Sequence, residues 1–148
     1  MTRFSNQRFQ HHRAESCATY LASFEATNNS FLLIEKLEDQ RPIGTATVYR
    51  NSRHCTADIG MMLGERSCWG QGYGREAWKS ILEAMLVEAG MRKVTCGTAR
   101  LNRAMIRIME QSGMKLEGVR SRLHFCRDQR KLQPRPTNSL GKIRINTS

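Results

Sequence analysis

The chain has 148 residues, of which 39% are hydrophobic, and a net charge of +11. This length fits one globular domain and is enough to bury a core. The N-terminal residues MTRFSNQRFQHHR contain no apolar core of a signal peptide, and no stretch approaches the roughly 18 apolar residues of a membrane span. We therefore expect a cytoplasmic protein without a membrane partner. The five cysteines are odd in number and show no CxxC spacing, so neither a disulfide framework nor a metal site is expected.

The positive charge is concentrated at the C-terminal end. Residues 120–148 hold eight basic residues and one acidic residue, Asp128, and so carry +7 of the net +11. A basic tail can attract nucleic acid or acidic partners through phosphate or carboxylate contacts. A solvated arm without a specific partner is the favoured interpretation, because charge runs are commonly solvated.

The first half of the chain predicts one helix and three strands. Residues 13–26 place apolar side chains at helical spacing and end in the polar run Thr27–Ser30. Two β-prone runs, 31–38 and 43–50, flank a turn at residues 39–42 and predict a hairpin. Residues 56–63, TADIGMML, predict a third strand.

The second half alternates helices and strands. One apolar face over residues 74–89 predicts a helix that Gly90 ends, followed by a strand at 92–99. Asn102 is placed to cap a helix that runs to about Ser112, and residues 114–120 return as a strand. Beyond Arg127 the periodicity fails. This pattern divides the chain into a domain at 1–127 and a basic, divergent tail at 128–148.

The loop WGQGYGR, residues 69–75, lies between the strand at 56–63 and the following helix. Such a crossover places the loop at the carboxyl end of the strand. Glycines there allow close approach to the backbone, and the N–H groups at a helix start favour a phosphate. A glycine-rich turn that only packs the helix onto the sheet is the alternative. The loop has no Gly-Lys-Ser/Thr and no suitable acidic residue about 20 positions later, which disfavours nucleotide hydrolysis and dinucleotide redox chemistry.

Two segments together resemble a known family. The run IGMMLGERSCWGQGYGREAW and the later run NRAMIRIMEQSGMKLEGVR are similar to the acetyl-CoA-binding motif and the following helix motif of the GNAT N-acetyltransferase superfamily. The likeness is closest to its RimJ/RimL-like branch. In the family pattern Gln/Arg-x-x-Gly-x-Gly/Ala, Trp69 stands at the first position and Gly72 and Gly74 fill the glycine positions. The resemblance implies an α+β, three-layer acyl-CoA N-acyltransferase fold, with helices on both faces of a mixed, mostly antiparallel sheet.

The resemblance also implies a binding site for acetyl-CoA as cosubstrate. The loop amides of Gly70 to Gly74 would hold the pyrophosphate, and the preceding strand would splay from its neighbour and pair with the pantetheine arm. The second helix would bring Asn102 near that arm. The cofactor-binding residues implied in this way are Met61, Met62, Leu63, Trp69, Gly70, Gln71, Gly72, Tyr73, Gly74, Arg75 and Asn102.

The chemistry implied by the family is direct transfer of an acetyl group to a primary amine, on a protein N-terminus or a small molecule. An amine is mostly protonated at neutral pH, so the site needs a proton acceptor as well as a donor for the oxyanion. Asp58 is the first candidate base, acting through water, and Glu65 is the second; a solvated or capping carboxylate is the alternative for each. The tyrosine that serves many members as general acid is replaced by Met109. Attack through an acetylated Cys68 is disfavoured.

The chain departs from the family pattern at both ends. The family's first strand and helix would precede Phe4, and its C-terminal hairpin would follow Arg120, so the fold is expected to be incomplete at both ends. Two other functions therefore remain: a coenzyme A binding protein with little or no turnover, and a basic nucleic-acid-associated module. The acceptor amine and the formation of a homodimer stay open.

Overall fold

The computed structural model describes residues 13–124 and 140–146, with side chains described for residues 13–119. Its helices and strands, in chain order, are α1 (Ala14–Glu25), β1 (Ser30–Glu35), β2 (Pro42–Asn51), β3 (Thr56–Leu63), α2 (Tyr73–Glu83), β4 (Lys93–Ala99), α3 (Arg103–Gln111), β5 (Lys115–His124) and β6 (Leu140–Asn146). A short 3-10 turn at Arg66–Cys68 lies between β3 and α2. The elements predicted between residues 13 and 120 are therefore all present.

The strands form one mixed sheet in the order β1-β2-β3-β4-β6-β5. The pairs β1–β2, β2–β3, β4–β6 and β5–β6 are antiparallel, whereas β3 and β4 are parallel. A parallel pair requires a crossover, and α2 supplies it. The mixed, mostly antiparallel sheet is confirmed.

Helices cover both faces of this sheet. Neighbouring residues of a strand point to opposite faces, so Val48 and Tyr49 of β2 mark the two sides. The ring of Tyr49 lies 5.7 Å from that of Phe24 in α1. Val48 belongs instead to the buried cluster that includes Trp78 of α2 and Met105 of α3. We call these sides the α1 face and the α2/α3 face.

The main core lies on the α2/α3 face. Its largest fully buried side chains include Trp78, Ile59, Met109, Val48 and Val94. The Trp78 indole Nε1 donates a hydrogen bond to Ser112 Oγ at 3.1 Å, which ties α2 to the end of α3 and satisfies a buried polar group. This packing fixes the start of α2 against the sheet.

The helix predicted at 74–89 is not α-helical to its end. The α-helix stops at Glu83, and a π-helical turn follows at Ala84–Glu88. Ala89 N donates to Ala84 O at 2.9 Å, a bond five residues back, and Gly90 has a φ of 61°. Apolar spacing does not distinguish one wide turn from a regular one, because the buried face is nearly the same.

The expectation of an incomplete C-terminal end is wrong for residues 140–146. They form β6, which is inserted between β4 and β5 and pairs with both strands. The alternation of Ile143 and Ile145 with polar residues has the period of a strand, but the proline-containing run before it conceals that signal. The described part of the chain leaves out residues 1–12, 125–139 and 147–148. The expectation that the family's first strand and helix are missing ahead of Phe4 therefore concerns residues outside the described part.

Candidate functional site

An opening between β3 and β4 lies beside the glycine loop. The two strands are in register from Thr56–Lys93 to Asp58–Thr95. From Thr95 onward β4 pairs with β6, whereas β3 continues to Leu63 with no partner on that side among the described strands. The strands therefore splay apart, as expected.

Backbone donors of β3 face this opening. Gly64 N donates to Ile43 O at 2.8 Å, and residue pairs of an antiparallel ladder alternate between bonded and non-bonded. Met62, two residues before Gly64, is therefore bonded to β2 through its backbone. The N–H groups of Met61 and Leu63 point to the opposite edge, into the opening.

The loop before α2 leaves its amides exposed. Gly70 and Gly72 have φ values of 75° and 95°, which glycine adopts readily, and open space surrounds the position of a Cβ on either residue. Gly72 is the N-cap of α2, and no side chain caps it. Among the described residues, no hydrogen-bond acceptor is seen for the amides of residues 70–74.

Gly74 contributes in a different way, because it brings the start of α2 close to the sheet. A Cβ on Gly74 would lie 3.0 Å from Leu63 Cδ1 and 3.2 Å from Ile108 Cδ1. The missing side chain thus sets the distance between the exposed amides and the end of β3.

The polar side chains of the loop turn back onto their own segment. Trp69 Nε1 donates to Leu63 O at 3.2 Å, and the guanidinium of Arg66 lies 5.8 Å from the centroid of the indole. Gln71 Nε2 donates to Ser67 O. These contacts leave the space in front of the amides open, and the exposed Arg75 adds a positive charge in the first turn of α2.

Asp58 lies at the point where the strands separate. It is exposed and stands opposite Tyr49 in the β2–β3 register, so it belongs to the α1 face. Thr95 Oγ1 donates to Asp58 Oδ2 at 2.7 Å. Since Thr95 is only 6% exposed, its hydroxyl holds one carboxylate oxygen from a fixed position.

Glu65 lies at the other end of the opening, and its carboxylate is already engaged by neighbouring residues. Its carboxylate accepts hydrogen bonds from Ser67 N at 3.1 Å and Ser67 Oγ at 2.8 Å, and it forms an ion pair with Arg41 at 2.8 Å. The hydrogen bonds from Ser67, followed by the charge of Arg41, lower the pKa of Glu65. This geometry is that of a cap on the 3-10 turn.

Asn102 caps α3, as the sequence predicts. Its Oδ1 accepts from Met105 N at 3.3 Å, while Nδ2 donates to Thr98 Oγ1 at 3.1 Å. Met109 is fully buried in the core. Its thioether cannot supply a proton.

Sequence reasoning did not identify the groups that flank Asp58. Thr95 and Tyr49 come from different strands, and pairing across strands is the only signal that relates them. The hydroxyls of Tyr49 and Tyr20 lie 3.1 Å apart. Burial, followed by this hydrogen bond, raises the pKa of Tyr20 to about 12, so Tyr20 is neutral at physiological pH.

The sequence of the chain matches the model of a known domain. The model of the family described as "Acetyltransferase (GNAT) domain" matches residues 1–115. The chain belongs to the GNAT acetyltransferase family. The expected GNAT fold and acetyltransferase class are confirmed.

Solved structures show the same fold at low sequence identity. Spermidine N-acetyltransferase from Vibrio cholerae, in complex with CoA and spermine, has a TM-score of 0.80 at 14% identity, over 99% of this chain and 80% of that chain. A chimera of Vibrio cholerae SpeG and hSSAT has a TM-score of 0.77 at 14% identity, over 92% and 79%. A GNAT family acetyltransferase from Bacillus anthracis has a TM-score of 0.71 at 15% identity, over 92% and 75%. No curated protein sequence matches the chain.

The described residues offer neither a candidate metal site nor a candidate membrane span. Within residues 13–124 and 140–146, no three His, Cys, Asp or Glu side chains are grouped as ligands of an ion. Over the same residues, no helix has the length and apolar character needed to cross a membrane.

Proposed function

We propose that the protein transfers an acetyl group from acetyl-CoA to a primary amine by direct attack of the amine. The observation that carries this proposal is the uncapped start of α2 beside the opening between β3 and β4. The start of α2 supplies hydrogen-bond donors for phosphate. The opening supplies a path through the sheet with N–H groups along its edge.

The residues of the α2 start fit the cosubstrate. The amides of residues 70–74 have no hydrogen-bond acceptor among the described residues, and Gly70 and Gly72 have positive φ values. The N–H groups of Met61 and Leu63 would bind the pantetheine arm, with Asn102 close to it. When bound, acetyl-CoA supplies the acetyl group and a thiolate leaving group.

Asp58 is well placed to serve the amine. It lies on the α1 face, whereas the neighbouring residue Ile59 packs with Trp78 on the α2/α3 face. The two substrates would therefore approach from opposite faces and meet at the opening. Asp58 removes a proton from the ammonium group, directly or through water, and Thr95 orients its carboxylate.

The other candidates fit this chemistry less well. Glu65 is engaged by Ser67 and Arg41, and its lowered pKa makes it a weaker proton acceptor. Cys68 and Cys96 are 1% and 2% exposed, so neither thiol is open to acetylation. Direct attack therefore needs fewer rearrangements than transfer through an acetyl-cysteine. The thiolate leaves without a tyrosine acid, which its low pKa relative to an alkoxide permits.

We infer a protein N-terminus or a small-molecule amine as acceptor, from the sequence likeness to the RimJ/RimL-like branch. The Vibrio cholerae neighbour is named for spermidine, and a polyamine is one member of the small-molecule class. We also propose a cytoplasmic location for the protein.

Two alternative functions make different predictions. A coenzyme A binding protein without turnover would bind acetyl-CoA but release no thiol with any amine. A nucleic-acid-associated module would depend on the basic tail, yet residues 140–146 of that tail belong to the sheet. This placement favours the enzyme.

The test begins with calorimetric titration of acetyl-CoA into the purified protein. A panel of amines that includes N-terminal peptides, polyamines and aromatic monoamines is then screened for release of free thiol. Binding with amine-dependent thiol release supports the proposal. Binding without release from any amine favours the non-catalytic alternative, and the absence of acetyl-CoA binding overturns both.

A further inference from the structure

Lys36 follows β1 on a turn with a fixed backbone. Its N–H donates to Arg41 O at 3.0 Å, and its carbonyl accepts from Gln40 N at 2.9 Å. The β1–β2 register shifts just before it, between Ile34 and Glu35. Register irregularities of this kind redirect nearby side chains, and they occur often beside active sites.

The side chain of Lys36 is directed to the start of α2. Its Nζ lies 5.2 Å from the centroid of the Tyr73 ring, and Tyr73 is the first residue of that helix. Acidic residues are closer in sequence, at Glu35, Glu38 and Asp39, but the ion pairs seen within residues 13–119 do not include Lys36. Nearby Cys68 and Tyr73, followed by Asp39 and Glu38, raise the pKa of Lys36, so its side chain stays charged at neutral pH.

This arrangement gathers positive charge at one place. The start of α2 already carries the positive end of the helix dipole and the free amides of Tyr73 and Gly74. Arg75 adds a second cation in the first turn. Glu76, also in the first turn of α2, offsets part of this charge. The charges of Lys36 and Arg75 together with the helix dipole still exceed it, so the cluster is suited to a ligand with several negative charges.

We propose that Lys36 binds the diphosphate of coenzyme A from the side of the β1–β2 turn, opposite the loop amides. This inference rests on the proposed function. The amides fix the position of the phosphoryl oxygens through short directed bonds, while the lysine ammonium adds a mobile point charge. Lys36 lies outside the glycine motif, on a segment more than 30 residues earlier in the chain.

The test measures the binding of three ligands to Lys36→Gln by calorimetry. At low salt the variant should bind coenzyme A and dephospho-CoA about three- to tenfold more weakly than wild type, the range for an exposed charge-assisted contact. Pantetheine, which has no diphosphate, should bind equally to both proteins. Lys36→Arg should keep most of the affinity, and the difference should shrink in 0.5 M salt, where the Debye length is only about 4 Å.

Lys79→Gln provides the matched control, because Lys79 is an exposed lysine of α2 that lies beyond the first turn of this helix. It removes the same net charge and should leave coenzyme A binding near the wild-type value. Equal losses in both variants, no loss in Lys36→Gln, or an equal loss for pantetheine would overturn the inference. In those cases wild type still binds coenzyme A and the proposed function stands; if wild type itself does not bind, both fail.

Discussion

The starts of α2 and α3 differ in how their amides are satisfied. At α3, Asn102 Oδ1 accepts from Met105 N, and the same side chain donates to Thr98 Oγ1. At α2, Gly72 occupies the equivalent position with a φ of 95° and provides no side-chain cap. Both helices follow a strand of the same sheet, so their position in the fold does not explain the difference.

The comparison separates a structural helix end from a binding one. Compared with glycine, a side-chain cap stabilises a helix by roughly a few tenths of a kcal/mol, and α2 forgoes that stabilisation. In return its amides stay available to a ligand. Glu65 extends the comparison, because it caps the 3-10 turn at Arg66–Cys68 and its carboxylate is thereby engaged. A carboxylate engaged in capping is a poorer candidate for a proton acceptor than Asp58, which lies where the strands separate.

The largest expected effect comes from closing the α2 start. Gly72→Val adds a branched side chain in front of the amides and should weaken acetyl-CoA binding by at least about a thousandfold, to below calorimetric detection. Gly90→Val is the control, since Gly90 also has a positive φ and open space around its Cβ position, at the far end of the same helical segment. Both variants should lose about 1–2 kcal/mol of unfolding free energy from backbone strain. Unchanged affinity in Gly72→Val would contradict the placement of the diphosphate.

The next effect distinguishes the carboxylate of Asp58, where the strands separate, from the capping carboxylate of Glu65. Asp58→Asn should lower kcat by about a hundredfold, the lower range for loss of a general base, in the thiol-release assay. Glu65→Gln should change kcat by less than about threefold, because the carboxylate acts on its own turn. Since its pKa is lowered, ionised Glu65 stabilises the fold above its unfolded pKa, and this contribution disappears as pH falls through the lowered value. A larger loss of kcat in Glu65→Gln would reverse the assignment.

A smaller effect is expected at the capped end. Asn102→Ala should lower the unfolding free energy by about 1 kcal/mol, which corresponds to about 3–5 °C in Tm. Asn102→Ser retains a capping oxygen and should restore most of the loss, as thermal unfolding by circular dichroism will show. Serine lacks the side-chain amide of asparagine. The acetyl-CoA affinity of Asn102→Ser therefore reports any contact of the Asn102 amide with the pantetheine arm. Wild-type stability in the alanine variant would mean that this cap is dispensable.

The smallest effects are expected from two arginines, one in the first turn of α2 and one in the first turn of α3. Arg75→Gln and Arg103→Gln each remove a cation from the positive end of a dipole, so each should raise the unfolding free energy by about 0.3–1 kcal/mol. Only Arg75→Gln should weaken acetyl-CoA binding, by about threefold at low salt. The measurements are chemical denaturation and calorimetry on both variants. Equal effects on binding would show that the two helix starts are electrostatically equivalent.

The order of elements from α1 to β5 follows from local sequence patterns. The apolar alternation of residues 56–63 locates β3, and the spacing of Gly70, Gly72 and Gly74 marks the uncapped helix start. The residue type and position of Asn102 predict that it caps α3. These signals are readable because each depends on neighbours within about one turn of chain.

The groups missed by sequence reasoning come together only through long-range pairing. Thr95 reaches Asp58 across 37 positions of the chain, and Lys36 reaches Tyr73 through the β1–β2 turn. The role of Glu65 depends on Ser67 and Arg41, which compete with the solvent for its oxygens. Composition around β6 conceals a strand that the sheet stabilises by pairing on both sides. Local propensity does not contain this information.

The two tryptophans of the chain lie in opposite surroundings, and this gives the protein a built-in optical reporter. Trp78 is fully buried and bonded to Ser112, whereas Trp69 is 51% exposed beside the loop amides and close to Arg66. A buried indole emits at shorter wavelength than a hydrated one, and only the hydrated one is open to a dissolved quencher. Fluorescence from Trp69 can therefore follow occupancy of the loop while Trp78 follows the integrity of the core, in a single unlabelled sample.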